Sequence, residues 1–154
     1  MSWALWSPVE ARRRIPRPVE HVFATISDPQ TYPDWLVGAQ RIRSVDRSFP
    51  KPGAEFEHSV GPTGAVTVDD SSEVLEADAP HHLRLQVRAG LFTATVDFEV
   101  HDAADGSEVR FRELPSGWAR PLTPLLRPLL FVRNERSLRQ LADHDPVPDH
   151  RSRS

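Results

Sequence analysis

Hydrophobic positions along the 154 residues change period twice. Trp3, Leu5, Val9, Ala11 and Ile15 share one parity and Glu10, Arg12 and Arg14 the other, the alternation of a strand wetted on one face. Pro16 and Pro18 end it, and Pro18 suits the first helical position, where its missing N–H is no loss. Val19, Val22, Phe23 and Ile26 recur at i, i+3, i+4 and i+7, which predicts an amphipathic helix of about two to three turns. Asp28 as N-cap and Pro29 as first residue start a second short helix with Tyr32, Trp35 and Leu36 as its apolar stripe, and Gly38 ends it.

From Gln40 to Glu113 the period becomes two. Phe56, His58 and Val60 form one strand face before a turn at Gly61-Pro62-Thr63-Gly64. Val66, Val68 and Val74 follow, with Asp70 and Ser72 at the same parity. Leu83, Leu85, Val87 and Ala89 come next, then Phe92, Ala94, Val96, Phe98 and Val100. Ala104-Asp105-Gly106 turns the chain into Val109, Phe111 and Glu113. This pattern predicts an antiparallel meander of about six to seven strands with one face covered.

The cover must be the last element. Leu125, Leu126, Leu129, Leu130, Leu138, Leu141 and Ala142 make a helical stripe, with Arg133, Glu135, Arg136 and Arg139 mostly on the wet side. Pro128 would clash inside a helix, so a loose turn is expected over Pro121–Arg127 and the main helix from about Pro128 to Asp143. The class is α+β, a bent antiparallel sheet with its helices on one face. Residues 1–145 read as one domain and 146–154 as a frayed polar tail.

Composition narrows the functions. A net charge of −3 and a pI near 6.1 provide no strong field for nucleic acid or anionic lipid. All 19 basic residues but Lys51 are Arg, and Arg12-Arg13-Arg14 reads as a solvated stripe. The absence of Cys excludes a disulfide scaffold and a thiolate zinc site, and it suits a reducing cytoplasm. Leu122 to Val132, the richest apolar stretch, is broken by Pro124, Arg127 and Pro128 and is far short of the roughly 20 residues that cross a bilayer. The first residues lack a basic n-region and a long apolar h-region, so a signal peptide is not expected. No Gly-rich phosphate loop, Gly-x-Ser-x-Gly elbow or His-Glu-x-x-His pair occurs, so neither a cofactor nor a metal is expected.

Several residues carry two readings each. Trp35 is a core anchor closing one end of a cavity, or a wall on which a ligand stacks. His58, inward with Phe56 and Val60, is a hydrogen-bonded structural residue, or an acid–base group or ligand contact. Asp70 and Ser72 line the cavity, or a bulge at Asp69-Asp70-Ser71-Ser72 rotates them outward. Glu113 is an inward carboxylate able to serve as a general acid or ligand partner, or it meets solvent or an Arg. His58, Asp70 and Glu113 form an acid–base set only if the sheet brings them together. His81-His82 reads as a surface turn. Gly117-Trp118 is a gate at a cavity mouth or a packed corner.

The runs Arg14-Ile15-Pro16-Arg17-Pro18-Val19-Glu20-His21-Val22-Phe23 and Ser27-Asp28-Pro29-Gln30-Thr31-Tyr32-Pro33-Asp34-Trp35 resemble the opening of the START-like, or SRPBCC, superfamily. Glu73 to Leu83 and the Leu-rich end are similar as well, so the resemblance spans about residues 9 to 143 and is strongest to the polyketide cyclase/dehydrase and lipid-transport group. It implies a helix-grip fold, a curved sheet wrapped on a long C-terminal helix around a deep cavity. The implied partner is a small hydrophobic ligand such as a lipid or aromatic polyketide, bound or transported by a monomer or homodimer. No catalytic motif is shared across the superfamily. With the inward parity, the expected cavity wall is Phe56, Val87, Phe92, Val96, Phe98, Phe111, Leu126 and Leu130, beside Trp35, His58, Asp70, Glu113 and Trp118. Two alternatives stand beside the binder. One is a polyketide cyclase, aromatase or dehydratase using His58 or Glu113; the other is a protein-interaction module.

Overall fold

The computed structural model describes residues 6–63 and 66–144. Trp3, Leu5, Gly64, the 146–154 tail and the side chain of Val66 lie outside the described residues.

The chain runs β1 (Val9–Ile15), α1 (Val19–Ile26), a 3-10 turn (Pro29–Thr31), α2 (Tyr32–Trp35), β2 (Ala39–Val45), β3 (Glu55–Thr63), β4 (Val66–Asp78), β5 (His82–Ala89), β6 (Phe92–Ala103), β7 (Gly106–Ser116), a second 3-10 turn (Gly117–Leu122) and α3 (Thr123–Asp143). The seven strands form one antiparallel sheet in the order β1-β7-β6-β5-β4-β3-β2. The first strand therefore closes on the last, and α1 and α2 carry the chain from that edge to the opposite one. The alternation implied the one-faced antiparallel meander, and the family resemblance implied this helix-grip architecture.

Alternation is nearly perfect in β7, where Ser107, Val109, Phe111, Glu113 and Pro115 are buried and every second residue is half-exposed. On the outward parity, Arg112 bridges Glu10 (2.8 Å) and Glu99 (2.6 Å), tying three adjacent strands across the wet face. The sheet bends where the ladder slips: register shifts interrupt β2 against β3, β3 against β4 near Val60, and β4 against β5 between Val74 and Glu76. No shift occurs at Asp69–Ser72, so the bulge expected there is displaced a few residues along β4. The turn expected at Gly61 is strand instead, because β3 continues to Thr63.

Val19, Val22, Phe23 and Ile26 of α1 are all buried, as their spacing requires. Pro18 stands one position earlier than expected, at the N-cap, where its carbonyl accepts from His21 (3.0 Å) and Val22 (3.1 Å). Asp28 caps the next turn by accepting from the Gln30 amide (3.1 Å). Below the sheet, Tyr32, Trp35, Phe98 and Phe111 pack in edge-to-face or tilted pairs with centroids 4.6–5.8 Å apart.

α3 departs from expectation. It begins at Thr123 and passes Pro128 without a break. Pro124 lies in the first turn, where amides have no helical acceptor and no bond is lost; Pro128, the sixth residue, forfeits one bond, that to the Pro124 carbonyl. The Pro-rich entry is thus ordered as a 3-10 turn running directly into α3. Its far end is held by Arg17, whose guanidinium donates to the carbonyls of His144 (2.9 Å) and Leu141 (3.3 Å) and also to that of Ala142. The helix packs mainly along β1, with further contacts to α2 and β7. Leu130, Leu138 and Leu141 are buried, whereas Leu125 and Leu129 of the expected stripe are 75% and 66% exposed. The first half of α3 stands off the sheet, and that offset opens the site.

Candidate functional site

The space between the concave face and α3 has two chambers. The inner one holds about 50 Å³, walled by Tyr32, Phe56, Val96, Phe98 and Phe111, with His58 and Ser72 as its polar side chains away from the neck. The outer one is a cleft of about 460 Å³ lying under the N-terminal half of α3. Val60, Val87, Glu113 and Arg133 line both and form the neck between them.

At the neck, Arg133 Nη1 donates to Glu113 Oε1 at 2.7 Å, and its Nε donates to the Val37 carbonyl at 2.9 Å. The Glu113 side chain is 4% exposed and that of Arg133 28%. With its amide nitrogen turned toward the carboxylate, fully buried Asn134 donates to Glu113 Oε1 (3.1 Å) and the Leu130 carbonyl (3.3 Å). Both expectations for Glu113 meet here, since it faces inward and it meets an Arg. Arg133 does not lie on the wet side of α3. It flanks the buried stripe, and a guanidinium on a three-carbon stem reaches the carboxylate from there.

His58 is 2% exposed, and its Nε2 shares a 2.7 Å hydrogen bond with the fully buried Ser72 hydroxyl. Ser72 Oγ also accepts from the Arg88 amide at 3.4 Å. His58 Nδ1 has no hydrogen-bond partner among the described residues. Burial pushes the imidazole below its ordinary pKa; the Asp70 carboxylate pulls it back, Arg43 pushes it further down, and the nearby Ser71 backbone again favours the charged ring. The ring is therefore neutral near pH 7.

Of the other residues expected on the wall, Phe92, Leu126 and Leu130 line the outer cleft and Val87 the neck. Three stand elsewhere. Trp35 is fully buried behind the inner chamber, packed edge-on to Phe98, with Nε1 donating to Thr31 Oγ1 at 3.0 Å. Asp70 sits opposite His58 in the ladder, but its carboxylate turns to the rim and accepts from Ser71 (2.8 Å) and Gly90 (2.9 Å) amides. Trp118 is 60% exposed and donates to the Leu91 carbonyl at the β5–β6 turn, outside both chambers. His58, Asp70 and Glu113 thus have separate partners rather than one another. Among the described residues, no group of three His, Asp or Glu side chains is placed to hold a metal. His82 opens β5 with its ring against Asp97, so only His81 is in the turn.

Sequence reasoning missed Tyr32, Ser72 as His58's partner, Arg133 and Leu129. Parity signalled Ser72; nothing local signalled that Arg133 would turn inward.

The profile of the family described as polyketide cyclase/dehydrase and lipid transport matches residues 8–144. The chain belongs to this family. Both chambers fall inside the matched span, as does every residue of the neck. No curated protein matches the chain. Among solved structures, protein NE0264 from Nitrosomonas europaea aligns with a TM-score of 0.71 at 17% identity, over 90% of this chain and 93% of that one. CV1439 from Chromobacterium violaceum aligns at 0.70 and 16%, over 89% and 96%. The di-domain aromatase/cyclase StfQ from the steffimycin biosynthetic pathway aligns at 0.67 and 12%, over 97% of this chain and 53% of that one. At these identities the likeness establishes the shared fold. No helix among the described residues is long and apolar enough to cross a membrane.

Proposed function

We propose that this family member binds a small hydrophobic molecule between its sheet and α3, as a carrier or receptor for it. The observation that carries the reading is the outer cleft, whose 460 Å³ lies within the range of small-molecule sites and whose walls are apolar except at the neck. A two-ring aromatic burying about 250 Å² gains about 6 kcal/mol at roughly 25 cal/mol per Å², a dissociation constant of tens of micromolar. Thermal-shift and native mass spectrometry against lipids and aromatic polyketides test it. Stabilisation and a one-to-one adduct with at least one apolar class are expected; no adduct with any class rejects it.

A second reading, a polyketide cyclase or dehydratase, is favoured by two titratable groups on the cavity wall, His58 and Glu113. Confinement of a reactive poly-β-ketone beside one proton carrier is chemically sufficient for such a reaction. Of the two, His58 is the better base, being neutral and carrying an unpartnered nitrogen, while Glu113 is held by Arg133. Turnover of a poly-β-ketone thioester that survives His58→Ala rejects that assignment.

A further inference from the structure

The lining carries information about the guest beyond its being apolar. Among the described residues, Glu113 and Arg133 are the only Asp, Glu, Lys or Arg side chains that line either chamber, and each neutralises the other at 2.7 Å. Arg133 is further committed to the Val37 carbonyl, and Glu113 to Asn134. A carboxylate guest would add a third charge beside a pair that is already neutral: Arg133 has Nη1 on Glu113 and Nε on Val37, so its remaining Nη2 could meet the guest only by sharing one cation between two carboxylates. An ammonium guest faces the converse problem, because Glu113 already has its cation. The site thus disfavours net charge of either sign.

One fully buried side-chain polar atom lacks a well-formed hydrogen bond among the described residues, and the Ser71 backbone lies close to its ring. His58 Nδ1 sits on a side chain walled into the inner chamber, with Nε2 and the ring plane held by Ser72. A buried polar atom without a partner is costly, so a guest that satisfies it gains more than one that does not. The inner chamber, at about 50 Å³, accepts a few water-sized groups and no ring system. Only the outer cleft has room for a body.

We infer that the site selects an electrically neutral guest whose apolar body fills the outer cleft and whose carbonyl or hydroxyl oxygen passes the neck to bond His58 Nδ1. Polar end inward and apolar body at the mouth is the orientation that the two volumes dictate. The inference rests on the apolar-binding reading above and specifies its ligand class.

The test uses four congeners of one ring system titrated into the full chain: naphthalene, 2-naphthol, 2-acetylnaphthalene and 2-naphthoate. At least one oxygenated neutral compound is expected to bind about tenfold more tightly than naphthalene, the worth of one buried hydrogen bond. 2-Naphthoate is expected to bind at least about tenfold more weakly than that compound, because its charge loses water beside a pair that is already neutral. In His58→Phe the preference for oxygen disappears while naphthalene binding persists. In Glu113→Gln, which frees the guanidinium, 2-naphthoate gains at least about tenfold. Should His58→Phe fail to fold, the wild-type order of the four compounds decides alone. Wild-type binding of 2-naphthoate equal to that of the neutral congeners overturns the inference, as does naphthalene binding no more weakly than either oxygenated compound. If none of the four binds, nor any lipid, the apolar-binding reading fails instead.

Discussion

Replacing Glu113 with leucine and Arg133 with methionine, singly and together, separates the cost of burying these charges from the worth of pairing them. The two side chains are unequally placed, at 4% and 28% exposure. Arg133→Met strands a carboxylate whose remaining donor is the Asn134 amide. Removing one partner of a buried pair costs about 3–5 kcal/mol, and the low end, about 3 kcal/mol, applies here because Asn134 still donates. Glu113→Leu strands a guanidinium that keeps the Val37 carbonyl and can extend toward the outer cleft. Its cost is about 1.5–2 kcal/mol, the low end for a lost charged hydrogen bond. The double variant replaces the pair with apolar groups of similar length, a change that is often neutral, so its loss should be about 1 kcal/mol or less. Urea denaturation at pH 7 measures all four proteins. At about 2–4 °C per kcal/mol for a chain of this length, Arg133→Met should lower Tm by about 6–12 °C, and the double variant should recover most of that fall. Losses that simply add in the double variant refute the account, since the two charges would then not be acting on each other. Arg133→Met no worse than Glu113→Leu refutes the burial argument.

Further outcomes follow from single positions. Gly106 adopts φ +148°, and a Cβ there would stand 2.4 Å from the Ile15 carbonyl and 2.7 Å from the Arg17 amide. Gly106→Ala should therefore cost about 3 kcal/mol or more in urea denaturation, and a loss under about 1 kcal/mol would contradict the close approach. Because burial holds the folded-state pKa of His58 below its ordinary value, the unfolded chain takes up the proton first as pH falls. Stability from this group is intact above about pH 6.5 and declines below it until the folded-state pKa is reached. His58→Gln should lose less stability than wild type between pH 7.5 and 5.5, and equal losses exclude His58 as the source. Leu129 is 66% exposed yet lines the outer cleft. Leu129→Ser should leave stability within about 0.5 kcal/mol while weakening apolar guests severalfold. Arg17→Ala removes the donor to the last carbonyls of α3, and hydrogen exchange should rise in the final turn of that helix with the sheet unaffected.

Much of the fold was legible because its signals are local. In β7 the side chains alternate by geometry, so Val109, Phe111 and Glu113 had to share a face once any one of them was inside. The same holds for Val19, Val22, Phe23 and Ile26, whose spacing closes one stripe on α1. Eight of the expected wall residues, Phe56 and His58 among them, line a chamber because strand parity decides inward or outward before any contact is known, and Leu126 and Leu130 do so from the apolar stripe of α3. Trp35, Asp70 and Trp118 do not, because parity says nothing of depth or of where a polar head finds its partner. Asp70 has the right parity but lies where a neighbouring hairpin offers the Gly90 amide. The prolines of α3 misled because Pro124 in the first turn costs no bond and Pro128 costs one, too little to break a helix held by buried Leu130, Leu138 and Leu141.

The sequence by itself determined the strand and helix periods, the inward set and the order of the elements, since these follow from backbone geometry acting over a few residues. Tertiary structure alone decided the chemistry of the cavity. Glu113 and Arg133 are 20 residues apart on different elements, and only the packing of α3 across the sheet brings them to 2.7 Å. His58 has its Ser72 partner because β3 and β4 pair in one particular register, and that register leaves Nδ1 without one. The offset of the first half of α3 exposes Leu125 and Leu129 and opens the outer cleft. Periodicity reports which side of an element is apolar; how far two such sides stand apart depends on every side chain between them.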